Sequence, residues 1–274
     1  MISSADLTLA RRIETTEAAH IAAIAEALKG TIPTVLAEPF AGGQAVFAGP
    51  GSPMTHAVGI GLSGSVSTAE LEQMEDFFRR RDASCVIDLC PLADASVLTF
   101  VQSRPYRVAE FNNVMLRHIE PGEVFAPEPG IWQIAIEEHE AWSRLICRGF
   151  VEDMPVNEEM IAMMSASCDV CTCWLAGRLS ELPGGDSGTS EAVAGAAMGL
   201  RDGIAFLYGD ATLPHARGHG QQTRLIRARL GAAQQNHCDL AMACVLPGST
   251  SHRNYERAGF QLVYMRVNLI RAFD

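Results

Sequence analysis

Residues 212–226 read Thr-Leu-Pro-His-Ala-Arg-Gly-His-Gly-Gln-Gln-Thr-Arg-Leu-Ile. A β-type run, Ile204 to Tyr208, leads into this stretch, and a helical pattern from Thr223 to Gln235 leads out of it. Strand, glycine-rich turn and helix in that order aim a row of backbone N–H groups and a helix N-terminus at one point. Such a point suits an anion, and phosphate best. Gly218 and Gly220 carry no Cβ, so a ligand can approach the backbone closely. The stretch is neither of the common nucleotide fingerprints. It lacks the G-K-[ST] of a P-loop and the G-x-G-x-x-G of a dinucleotide fold.

Other residue groupings invite chemistry and are read more plainly. Cys168, Cys171 and Cys173 have no second CxxC or HxxxH pair to complete a zinc site, so they read as buried thiols and no metal is expected. Glu137, Glu138, His139 and Glu140 read as the first turn of a helix, where acids favour the dipole. The eight cysteines sit mostly in apolar runs, which suits a reducing cytoplasm better than a disulfide framework. A net charge of −11 argues against a nucleic-acid partner, because phosphates need clustered positive charge. No apolar run reaches the ~18 residues of a membrane span, so no membrane partner is expected.

The elements that must position the turn recur along the chain. Helix 5–29 is followed by short strands at 33–38, 44–48 and 57–62. Ser67-Thr-Ala-Glu70 opens a helix to about Arg81 as a capping box. Strand 85–90, helix 94–102 and strand 107–118 complete the first half. Pro121 to Pro129 reads as a linker. The second half runs strand 131–136, helices 137–149 and 157–167, strand 170–179, a Gly/Ser-rich hairpin 183–190, and strands 192–200 and 204–212. Helix 223–236, strand 239–246, helix 251–258 and strand 262–270 follow.

Pairing Tyr106 with Phe260 sets Cys85 opposite Asp239, and Thr68 opposite Thr223 with one residue of slip. The pattern reads as an internal repeat of one α/β unit, or else as a generic strand–helix alternation shared by the two halves. The first copy has Leu62-Ser-Gly-Ser-Val-Ser67 where the phosphate turn should be, and Phe100 and Val101 where Asn254 and Tyr255 stand. The expected domains are 1–120 (degenerate), 121–130 (linker) and 131–274 (active).

The turn resembles the acyl-CoA loop of the GNAT N-acetyltransferase superfamily, Gln/Arg-x-x-Gly-x-Gly/Ala. Arg217 and Gly220 match, and Gln222 departs at the last position. The stretch Ser251 to Phe260 resembles the family's Asn-x-Tyr-x-x-x-Gly-Phe region, with Asn254 and Tyr255 adjacent. The resemblance covers about 130–274. It implies an α/β (α+β) fold of two GNAT-like units, each a mixed, mostly antiparallel sheet flanked by helices.

It further implies acetyl-CoA as co-substrate and direct transfer to a small amine; the protein is expected to be a cytoplasmic monomer or homodimer. The pyrophosphate would sit on the backbone of Arg217, Gly218, His219, Gly220, Gln221 and Gln222. The backbone of Ala211, Thr212 and Leu213 would pair with pantetheine and supply an N–H to the thioester carbonyl. Tyr255 would protonate the leaving thiolate, or else be a core tyrosine. Asn254 would bond the pantetheine, or else cap a helix. Asp210 would be the base, or else an ordinary turn residue, with His215 and His219 as alternatives. Phe150 to Asn157, with Glu152 and Asp153, would shape the acceptor pocket. The alternatives are an acyl-CoA sensor without catalysis, or transfer of longer acyl groups or to an oxygen acceptor.

Overall fold

The computed structural model describes residues 5–151, 156, 158–177 and 191–273. In chain order the elements are α1 (Leu7–Leu28), β1 (Leu36–Phe40), β2 (Gly43–Phe47), β3 (His56–Val58), α2 (Thr68–Arg79), β4 (Cys85–Leu89), α3 (Ala95–Gln102) and β5 (Arg107–His118). Then come β6 (Ile131–Gln133), α4 (His139–Val151), α5 (Glu158–Cys168), β7 (Thr172–Gly177), β8 (Ala192–Arg201), β9 (Ile204–Thr212), α6 (Gln221–Gln235), β10 (Leu240–Val245), α7 (Thr250–Arg257) and β11 (Gln261–Arg271). The architecture is the expected mixed one, with mostly antiparallel pairing and flanking helices. The expected hairpin at 183–190, the end of the expected strand at 178–179, and Glu152 and Asp153 lie outside the described residues.

Two units divide the chain, and they are not its two halves. The first joins Met1–Met115 with Cys244–Pro247 and Leu262–Asp274; the second joins Leu116–Ala243 with Gly248–Gln261. The closing strand of the C-terminal half therefore belongs to the first unit. There β11 pairs antiparallel with β4, from Val267↔Leu89 to Arg271↔Cys85. An alternating strand pattern says which face is buried but not which neighbour it joins. The side chains of β11 decide the matter. Tyr264 Oη and Arg266 Nε donate to Glu14 Oε1 of α1 at 2.7 and 2.8 Å, and Arg271 Nη1 donates to Glu75 of α2 at 2.6 Å. Glu14, Glu75, Tyr264 and Arg266 are nearly or fully buried, so an unmet charge there would be costly, and Arg271 is partly buried.

In the first unit β1, β2 and β3 are antiparallel and β3 runs parallel to β4, with α2 as the crossover. The core gathers Phe47, Phe77, Phe78, Ile87, Phe100 and Leu269. In the second unit β6, β7, β8 and β9 are antiparallel and β9 runs parallel to β10, with α6 as the crossover. β8 is buried along nearly its whole length, as a strand covered on both faces must be. Both α4 and α6 pack on it. Gly195 permits the approach of α4, because a Cβ there would stand 3.0 Å from Ile146 and 3.2 Å from Trp142.

The helix expected from Glu137 begins as a 3₁₀ turn at Ile136–Glu138 and becomes α4 at His139. Glu138 accepts from Ala135 N–H at 2.9 Å and Trp132 Nε1 at 3.1 Å, which is helix-start work rather than metal ligation. Cys168 and Cys173 are buried with their sulfurs 3.7 Å apart, and Cys171 is bonded to the Tyr208 hydroxyl. Among the described residues no group of three His, Cys, Asp or Glu could hold a metal ion, and no helix is long and apolar enough to cross a membrane.

Candidate functional site

The site begins with an irregularity in β9. Pairing with β8 runs Gly195↔Ala211 and then Ala197↔Tyr208, so Gly209 and Asp210 together face the single residue Ala196. Gly209 has φ +66°, the left-handed conformation that lets one extra residue enter a strand as a bulge. On its other side β9 pairs with β10 only from Leu240↔Ile204 to Met242↔Phe206, although β9 continues to Thr212. Its last residues therefore offer backbone groups with no neighbouring strand on that edge. The N–H of Leu213 is not among these, because it donates to Val193 O at 2.9 Å.

After β9 a 3₁₀ turn at Pro214–Ala216 redirects the chain, and Arg217 anchors it. Its Nε donates to Thr212 O at 3.1 Å and its Nη2 to Gly149 O at 3.1 Å, near the C-terminal end of α4. That end carries the negative pole of the helix and favours a cation. The His219 ring folds back, with Nδ1 2.7 Å from Arg217 O. Gly218 and Gly220 hold φ of +79° and +75°, and a Cβ on either would meet nothing within 4 Å. These glycines serve the backbone conformation and leave open space in front of it. α6 starts at Gln221 with Gly220 as N-cap, without a side-chain cap and without an acid in its first turn. The first four N–H groups of a helix have no intrahelical acceptor, so this end is a free donor array.

A groove of about 650 Å³ opens over it, with Thr212, Arg217, Gly218, Gly220, Gln222 and Asn254 among the residues of its wall. The departure at Gln222 has a purpose. Its Nε2 donates to Ser251 Oγ at 2.8 Å, and its Oε1 accepts from Asn254 Nδ2 at 2.8 Å. Arg257 Nη1 donates to Asn254 Oδ1 at 3.2 Å. Asn254 thus ties α6 to α7 and does not cap the helix. The cap of α7 is Ser249, whose Oγ accepts from His252 N–H at 3.0 Å. Gly259, at φ +86°, ends α7 and lets Phe260 turn back, with its N–H on Tyr255 O at 3.0 Å and its ring edge-on to Tyr255 at 4.9 Å.

Tyr255 and Asp210 meet, but they do not line the groove. Tyr255 is 1% exposed, and its hydroxyl donates to Asp210 Oδ2 at 2.5 Å. The other carboxylate oxygen pairs with Arg229 Nη2. Arg229 is fully buried, and it also donates to Ala197 O at 2.9 Å, Tyr208 O at 3.3 Å and Leu225 O at 3.1 Å. It thereby satisfies carbonyls at the bulge. Burial works against the charge of Arg229, but Asp210 and Tyr255 outweigh it and raise its pKa. Burial, then the charge of Asp210, push the Tyr255 phenol well above its ordinary value. The phenol is protonated at any ordinary pH.

Arg229 has no place in the sequence motif. The one sign of it was an arginine on the apolar stripe of α6, where Leu225, Ile226, Leu230 and Ala233 are all buried. His215 is exposed, at the middle of the 3₁₀ turn.

No protein-family model matches the chain, and no curated protein matches its sequence significantly. Solved structures do match. A GCN5-related N-acetyltransferase from Kribbella flavida superposes with a TM-score of 0.64 at 16% identity, over 97% of this chain and 96% of that one. A putative GNAT-family acetyltransferase from Novosphingobium aromaticivorans gives 0.55 at 14%, over 93% and 99%. A tandem GNAT protein from the clavulanic acid biosynthesis pathway gives 0.53 at 11%, over 74% and 68%. The chain has the fold of the GCN5-related N-acetyltransferases.

Proposed function

We propose that the protein is an acyl-CoA-dependent acyltransferase that moves an acetyl group from acetyl-CoA to a small amine. The observation that carries the reading is the N-terminus of α6. It is uncapped, free of acids and fronted by two left-handed glycines that open onto a groove. A pyrophosphate would accept from its backbone N–H groups. The pantetheine arm would lie along the β10-side edge of β9 past Phe206, where among the described residues β9 has no strand partner. The amine nitrogen attacks the thioester carbonyl and forms the C–N bond, its proton passes to water, the C–S bond breaks, and the thiolate takes a proton from Tyr255. The fold of the neighbours supports the reading without naming the acceptor.

We assign Tyr255 the role of general acid and Asp210 the role of holding it. A carboxylate already shared between Arg229 and a phenol is a poor free base, so Asp210 positions rather than deprotonates. The Tyr255 hydroxyl donates to Asp210, and transfer of its proton to a thiolate needs the O–H bond to rotate away. That same bond favours a second reading, acyl-CoA binding without catalysis.

The two readings separate in one experiment. Acetyl-CoA binding is measured by calorimetry, and transfer to a panel of small amines is followed by free thiol release and product mass. Binding with transfer supports the enzyme. Binding with neither transfer nor thioester hydrolysis supports the sensor. Absence of binding sinks both.

A further inference from the structure

The first unit carries a cavity of its own, of about 440 Å³. It is a trough between β1 and α2. Glu38 and Phe40, alternate residues of β1, form one wall. Asp76 and Phe77 of α2, its C-cap Arg80, and Arg81 just beyond form the other. The floor is aromatic, with Phe40 and Phe77 edge to face and their ring centroids 5.8 Å apart. Gln73 lines the trough one turn before Phe77. From Gln73 to Arg80 is roughly 10 Å along the helix axis, at ~1.5 Å per residue.

Charges of both signs stand over this floor, and they hold one another loosely. Arg81 Nη2 and Glu38 Oε1 are 3.6 Å apart, and Arg80 Nη2 and Asp76 Oδ2 are 3.8 Å apart, too far for hydrogen bonds. Among the described residues the Glu38 and Arg80 side chains have no other polar partner. Elsewhere in the unit such pairs are close. Arg104 Nη2 lies 2.5 Å from Glu72, and Arg271 Nη1 lies 2.6 Å from Glu75. Asp76 is taken by Arg79, which leaves Glu38 as the acid ready to receive an ammonium. Arg81 is held in place, its guanidinium 4.1 Å from the Phe77 ring centroid and its Nη1 donating to Phe77 O. A molecule with an ammonium and a carboxylate on one carbon replaces both loose contacts with charge-assisted hydrogen bonds. The outer edge of β1 is a poorer docking element for a peptide. The register with β2 turns Ala37 and Pro39 outward, and Pro39 has no N–H to give.

We propose that this trough binds a free α-amino acid with an apolar side chain. The ammonium lies on Glu38, the carboxylate on Arg80 and Arg81, and the side chain along Phe40 and Phe77 toward Gln73. The first unit then has a ligand of its own, and its binding needs no acyl-CoA. The Glu38 and Arg80 side chains are 48% and 79% exposed, so Glu38→Gln and Arg80→Gln spare the fold.

Calorimetry without CoA tests the proposal with three ligands. L-phenylalanine carries both charges, N-acetyl-L-phenylalanine lacks the ammonium, and L-phenylalaninamide lacks the carboxylate. The wild type should bind L-phenylalanine at least about tenfold more tightly than either derivative, the value of one charge-assisted contact. Glu38→Gln should weaken L-phenylalanine several-fold and leave the N-acetyl derivative unchanged. Arg80→Gln should weaken L-phenylalanine several-fold and leave the amide unchanged. No binding of L-phenylalanine by the wild type would overturn the proposal. So would binding that both variants retain in full, because a small-amine site elsewhere, such as the proposed acceptor site, does not sense Glu38 or Arg80. Equal weakening of all three ligands in a variant would overturn it too, as damage to the trough without loss of a charge contact.

Discussion

α2 and α6 occupy the same place in the repeat, each crossing between two parallel strands, and their N-termini are built for opposite ends. α2 is closed. Ser67 Oγ accepts from Glu70 N–H at 3.2 Å, and Glu70 puts an acid in the first turn. The preceding turn is tied down as well, with Val66 N–H on Ser96 Oγ at 2.9 Å and Arg11 Nε on Leu62 O at 2.8 Å. Gly64 in that turn faces open space at φ +124°, but Gly59 and Gly61 ahead of it are there for contact. A Cβ on Gly61 would stand 2.5 Å from Val97, and one on Gly59 would stand 3.0 Å from Glu14 O. α6 has no cap, no acid and glycines facing open space. One topology thus serves once as packing and once, on the proposed function, as a binding surface. The difference lies in what satisfies the first N–H groups of the helix.

The two helices also carry buried charges of opposite sign. The register that pairs Tyr106 with Phe260 pairs Glu75 with Arg229. Glu75 accepts from Tyr106 Oη at 2.9 Å, Arg104 Nε at 3.2 Å and Arg271 Nη1 at 2.6 Å. Arg229 faces one carboxylate, Asp210, and through it Tyr255. The largest effect expected of any change follows from that asymmetry. Arg229→Met strands Asp210 at the bulge and should cost about 3–5 kcal/mol of stability, whereas Arg229→Met with Asp210→Leu should recover most of it. Thermal unfolding of the pair checks this. A single variant as stable as the wild type would mean that the ion pair does not hold the bulge.

Breaking the open end comes next. Gly220→Glu places a like charge and a strained left-handed residue where the pyrophosphate is proposed to sit, and should weaken CoA binding by about a hundredfold or more. Gly220→Asn, a residue that tolerates the left-handed conformation, should keep most of the affinity. Calorimetry that finds the two variants alike would locate the damage in the backbone rather than in the phosphate site.

Much of this contrast was legible before any coordinates. The bounds 107–118 and 204–212 are those of β5 and β9, and Ser67 is the cap its spacing predicts. Local chemistry is what sequence reports well: caps, glycine turns and alternation. What stayed hidden depends on neighbours far along the chain. β11 belongs beside β4 because Glu14 and Glu75 hold its tyrosine and arginines, a pairing across roughly 200 residues or more. The partnership of Asp210 with Arg229 needs the bulge at Gly209, which no local pattern announces. The role of Gln222 appears only when α7 is alongside.

Tyr255→Phe tests the catalytic half of the contrast. Removing the hydroxyl should lower kcat about a hundredfold and leave the Kd for acetyl-CoA nearly unchanged, because proton donation matters only as the C–S bond breaks. The phenol stays protonated well above its ordinary range, so the wild-type kcat should show no falling limb from this group up to about pH 9.5. Full turnover by the variant, with chemistry rate-limiting, would make Tyr255 a structural partner of Asp210.

The smallest effect is reserved for the closed end. Ser67→Ala removes a cap worth about 0.5–2 kcal/mol, and Glu70→Gln removes an acid worth about 0.3–1 kcal/mol at a helix N-terminus. Made together, they leave α2 with an uncapped and uncharged first turn, as in α6. If the open end of α6 needs its whole surroundings, opening α2 should cost stability and create no CoA site, because Leu62 to Ser67 has one glycine facing open space, Gly64, where α6 has two, and its turn stays tied to Ser96 and Arg11. Titration should then give one CoA per chain in wild type and double variant alike. A second equivalent in the double variant would show that capping alone separates the two units.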